Sequence, residues 1–108
     1  MRMWMVDPRF MCDRHLLGEH YECHMFAGCI NKKKTLSGYI AKQLFDPASL
    51  TSRHNQLVKE MKSRGFSHHS PIDKYKGIPS PINSDDSLHD LLTRCKACST
   101  RYNVNQPG

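Results

Sequence analysis

The stretch from Asp13 to Asn31 constrains the chain most. Leu16, Cys23, Phe26, Ala27 and Ile30 recur there at the spacing of one helical face. A stripe of that kind has to be buried against another element. The expected helix runs from about Asp13 to Asn31, with Asp13 placed to cap it. Asn31, Lys32, Lys33 and Lys34 end it in a basic loop. A second helix is signalled by Asp46 as a cap and Pro47 at the first helical position. Leu50, Leu57, Val58 and Met61 form its apolar face, and Gly65 follows Lys62 and Arg64 as a stop. A last helix is expected from Ser84 or Asp85 to about Thr100, with Leu88, Leu91, Leu92, Cys95 and Cys98 on one face.

Between these elements the signals are weaker. The segment TLSGYIAKQLF is open between a short helix and an irregular packed strand. Residues 66–83 are rich in Ser, His and Pro and read as a long loop, of the kind that is functional or mobile in compact domains. The first twelve residues mix Met, Trp and Phe with charge, and Pro8 argues against a helix through them. The expectation is an all-α fold, a small single-domain helical bundle over residues 1–108, with about three main helices and long loops.

Composition narrows the function classes. Only 38% of the 108 residues are hydrophobic, so the core is modest. The net charge of +6 fits either a nucleic-acid partner or simple solubility. No apolar run is long enough to span a membrane, and the start MRMWMVDPRFMC lacks the apolar region of a signal peptide. Five cysteines, an odd number, fit reduced thiols and a cytoplasmic setting. A monomer is expected.

Seven histidines and five cysteines raise the question of zinc. Cys95-x-x-Cys98 is one half of such a site, and His68-His69 is a candidate other half. The two cysteines also continue the apolar stripe of the last helix, where buried cysteine behaves as a small hydrophobe. His20 and His24 share a helix face without an evident third ligand. On balance the expectation is no metal and no cofactor.

The first helix also carries a polar strip. His15 and Glu22 are seven residues apart, so they fall within about 20° of each other on the wheel. Gly18 lies between them. Glycine inside a helix costs about 1 kcal/mol relative to alanine, a loss that makes sense where something must approach closely. The strip is either a solvated outer face or a working one.

DRHLLGEHYE resembles a helix of the pyrimidine dimer DNA glycosylases, the phage endonuclease V family. Asp13, His15, Leu16, Glu19 and Glu22 match it. The opening MRMW is similar to the MR-x-W start of bacterial proteins grouped with that family. Ser63-Arg64-Gly65-Phe66 is similar to the end of a later family helix. The resemblance covers about residues 1–70.

What the resemblance implies is a compact helical enzyme that kinks damaged double-stranded DNA and extrudes a base. It acts as a glycosylase and abasic-site lyase through its N-terminal amine. The register places Met1 at that amine, and the bulk of Arg2 argues for its retention. An α-amine titrates near pH 7.7–8.0, so a useful fraction is neutral where a lysine near 10.4 is not. Glu22 is the implied acid–base carboxylate, with His15 as orienter or phosphate contact. Arg2 matches a DNA-contacting arginine. Tyr21 and Met25 stand where the family has two others. Lys32, Lys33, Lys34, Arg53, Lys59, Lys62 and Arg64 are candidate phosphate contacts. The family's basic, aromatic C-terminal tail is missing, with Arg94, Lys96, Arg101 and Tyr102 as stand-ins. The competing readings are a non-catalytic DNA-binding module on the same helices and a small zinc-binding interaction protein.

Overall fold

A computed structural model describes residues 1–106. Its α-helices are α1 (Asp13–Asn31), α2 (Ser37–Ala41), α3 (Leu50–Ser63), α4 (Ser84–Arg94) and α5 (Lys96–Val104). Two 3-10 turns, Pro8–Phe10 and Pro47–Ser49, precede α1 and α3. No strand occurs among the described residues, as an all-α chain requires. None of the helices is long and apolar enough to cross a membrane.

The α1 stripe does what its spacing demands. Leu16, Cys23, Phe26 and Ala27 are buried, and α1 packs along α3 through Leu50, Leu57 and Met61. Phe26 stacks on Phe45 with ring centroids 4.3 Å apart. Burying a side chain of this size is worth about 1.5–3 kcal/mol, so these few contacts hold the bundle. The N-terminal segment completes the core with Met3, Trp4, Val6 and Met11. It is pinned to the chain after α2 by the Met3 amide, which donates to the Leu44 carbonyl at 2.8 Å.

Glu19 is the unexpected member of the interior. It is fully buried, and Arg53 of α3 grips it with two hydrogen bonds of 2.6 and 2.9 Å. Arg53 also donates to the Val6 carbonyl and to Gln56 Oε1, both at 2.8 Å. One guanidinium thereby ties α1, α3 and the N-terminal segment together.

Several local expectations are corrected. Cys12, not Asp13, caps α1, its sulfur accepting from the His15 amide; Asp13 sits in the first turn. The TLSGYIAKQLF segment forms the short helix α2. The Asp46-Pro47 signal opens a 3-10 turn, and α3 proper starts at Leu50. Gly65 stops α3 with φ +87°, which glycine adopts without strain. The long segment of residues 66–83 has no helix, yet it is fastened down. The Tyr75 amide donates to Thr51 Oγ1, and its hydroxyl donates to Asn31 Oδ1. The Ser80 amide donates to Asp46. Gly77 lies so close to Pro47 that an added Cβ would stand 2.4 Å from the proline Cβ.

The expected last helix is two helices. Cys95 is extended, at φ −128° and ψ 109°, and ends α4 while capping α5. Cys95 and Cys98 therefore do not continue the apolar stripe of one helix. Cys98 is buried and Cys95 is half-buried at the break.

Candidate active site

The polar strip of α1 forms one wall of a pocket of about 550 Å³. The N-terminal segment forms another, because burial of Met3 and Trp4 carries Met1 over the helix. The Met1 amino nitrogen lies 3.8 Å from Glu22 Oε1. Both groups are partly shielded, with side chains 13% and 28% exposed. Burial raises the Glu22 carboxyl above its ordinary value, and the neighbouring amine opposes that shift.

The rest of the lining is Trp4, Arg14, His15, Gly18, Glu19, Tyr21, Met25, Arg94 and Cys95. Arg14, Gly18, Tyr21 and Met25 are spaced four, three and four residues apart, which is one arc of the helix. Tyr21 and Met25 are exposed, two apolar groups beside the amine. Among the described residues, nothing outside the helix's own backbone stands within 4 Å of a Cβ placed on Gly18. The glycine leaves that part of the pocket open, and the chain itself does not approach it closely. Arg94, a stand-in for the missing tail, reaches the pocket, and Arg14 is a lining residue that the sequence reading does not include. The arc spacing alone would have found Arg14.

The other expected site residues divide into two groups. Lys32, Lys33, Lys34, Lys59 and Lys62 are exposed, where they can reach a polyanion. Arg53 and Arg64 are not free phosphate contacts. Arg53 is 2% exposed and taken up by Glu19. Arg64 pairs with Asp13 and Glu60 and donates to the carbonyls of Pro8 and Met11. Arg2 pairs with Asp90 at 2.9 Å and lies over the Trp4 ring, so it anchors α4 to the N-terminal segment. His15 meets Trp4 edge-on, and burial lowers its pKa. Its Nδ1 faces the Cys12 and Cys98 sulfurs at 3.3 and 3.6 Å.

On the opposite face of α1, His20 and His24 acquire partners that spacing alone did not supply. His54 of α3 and His68 of the following segment meet them, with all four ligand nitrogens within 4.8 Å of one another.

A pocket that joins an amine, a carboxylate and exposed apolar groups suits base excision from a sugar. The family model for pyrimidine dimer DNA glycosylase matches residues 1–74, which include Met1, His15, Tyr21 and Glu22. No curated protein and no solved structure gives a significant match. With the matched residues covering more than half of the chain, it belongs to the pyrimidine dimer DNA glycosylase family.

Proposed function

We propose that the chain releases a damaged base from duplex DNA and then cuts the strand, with the Met1 amine as nucleophile and Glu22 as its acid–base partner. The observation that carries this reading is the 3.8 Å separation of amine and carboxylate inside one pocket. The neutral amine attacks C1′ of the damaged nucleotide, and the base leaves with the glycosidic electron pair and a proton. The amine loses its protons as the sugar ring opens, and O4′ takes one, leaving a C1′ imine. Glu22 stabilises the cationic sugar and imine, then accepts the C2′ proton. The C2′ electron pair expels the 3′-phosphate, which breaks the strand, and water later hydrolyses the imine.

The pocket volume lies within the usual range of about 300–1,000 Å³ for small-ligand sites, and an extruded nucleotide fits that scale. Tyr21 and Met25 supply apolar faces for a displaced base. Arg14 and Arg94 flank the pocket, and Lys32, Lys33, Lys34 and Lys62 offer exposed charge for phosphates. His15 and Trp4 hold the wall beside Arg14. The test is a chain carrying a short N-terminal extension. It should bind an abasic duplex as the free-amine chain does and fail to cut it. Equal strand cutting by both would overturn the amine mechanism.

A further inference from the structure

Four metal-ligand side chains from opposite ends of the sequence meet beside the pocket. Cys12-x-x-His15 opens α1, and Cys95-x-x-Cys98 opens α5. Cys12 Sγ lies 3.3 Å from His15 Nδ1 and 3.9 Å from Cys95 Sγ. Cys98 Sγ lies 3.6 Å from the same Nδ1. All four ligand atoms fall within 4.8 Å of one another. A tetrahedral zinc with bonds of about 2.3 Å to sulfur and about 2.0–2.1 Å to nitrogen separates its ligands by about 3.5–3.8 Å. The cluster has nearly that size. The sulfur separation is far beyond the roughly 2.05 Å of a disulfide, and all three cysteines are free.

The backbone is arranged for the same purpose. The amides of Cys12, His15 and Cys98 point at sulfurs, donating to Cys98, Cys12 and Cys95 at 3.3, 3.5 and 3.4 Å. Backbone donors aimed at three sulfurs orient these side chains toward one another, as the outer contacts of metal ligands do. We propose that Cys12, His15, Cys95 and Cys98 form a structural zinc site. It would fasten α5, which lies outside the family match, to the first turn of α1. His15 and Cys95 also line the pocket, so the metal would fix part of its wall.

A different observation carries a second site independently. His20, His24, His54 and His68 pack with ring centroids 4.8 to 5.3 Å apart. His24 and His54 bring their Nε2 atoms within 3.1 Å. The Nε2 atoms of His20 and His68 are buried without a hydrogen-bond partner among the described residues. Buried polar atoms are rarely left so, and four converging imidazole nitrogens are donors for zinc, copper or nickel. The geometry points to an all-imidazole metal site joining α1, α3 and the segment after it.

One set of measurements tests both. Untagged protein purified without chelator is analysed for zinc, then stripped and reloaded with cobalt. The expected result is two equivalents of metal and a thiolate-to-cobalt charge-transfer absorbance. Cys95→Ser with Cys98→Ser should remove one equivalent and the charge-transfer band. His20→Asn with His68→Asn should remove the other equivalent and leave that band. Cobalt-loaded wild type without a charge-transfer band would overturn the cysteine site, even where the serine variant fails to fold. A wild-type total of one equivalent, lost with the cysteines, would overturn the histidine site.

Discussion

Replacing Glu22 by glutamine probes the candidate site with little cost to the fold. The side chain is 28% exposed, and it pairs with the Met1 amine at 3.8 Å. A partly exposed pair of this kind contributes about 1 kcal/mol or less to stability, so Glu22→Gln should melt close to the wild type. The effect on catalysis is larger. A carboxylate about 4 Å from a developing cation stabilises it by roughly 1 kcal/mol in water and roughly 4 kcal/mol at an effective dielectric of 20. That range is roughly 5- to 1,000-fold in rate. Loss of a positioned acid–base group costs about 100-fold or more. Strand cutting on ultraviolet-irradiated and abasic duplexes should therefore fall by about 100-fold or more, with binding retained. The assay follows nicking of a labelled duplex under single-turnover conditions, alongside direct binding. Wild-type cutting rates at equal binding would refute the assignment of Glu22.

Two further variants separate surface from interior. Tyr21 is 65% exposed at the pocket, so Tyr21→Ala should leave the melting temperature unchanged. It should weaken binding to damaged duplex by about 1–3 kcal/mol, the scale of one base–aromatic stack; unchanged binding in a titration would remove Tyr21 from the interface. Arg53→Ala leaves Glu19 charged and buried, which costs about 3–5 kcal/mol. Thermal unfolding should show a large loss, partly recovered by adding Glu19→Met; a variant that melts normally but binds DNA poorly would restore Arg53 as a phosphate contact.

Local signals in the sequence were accurate where the cause was local. The apolar spacing from Leu16 to Ile30 marked the bounds of α1, and Gly65 marked the end of α3 because its positive φ is a one-residue property. The break at Cys95 was hidden, since Leu88, Leu91, Leu92, Cys95 and Cys98 keep helical spacing across it. At the break the Cys95 sulfur caps α5 and lies 3.9 Å from Cys12 Sγ, a tertiary contact that spacing does not show. Long-range pairs were invisible for the same reason. Nothing in the spacing of Arg53 tells that Glu19, 34 residues away, will take it inside. Nor does His54 announce that it will meet His24. The Met1–Glu22 pair was legible through family resemblance, and burial of Met3 and Trp4 supplies the physical reason for it.

The central claim is that the Met1 amine bonds to the sugar. Borohydride reduction during reaction with an abasic duplex, followed by peptide mapping, tests it directly. The account predicts one covalent protein–DNA adduct, carried by the peptide that begins with Met1. An adduct on Lys32, Lys62 or any other lysine, with Met1 unmodified, would contradict it.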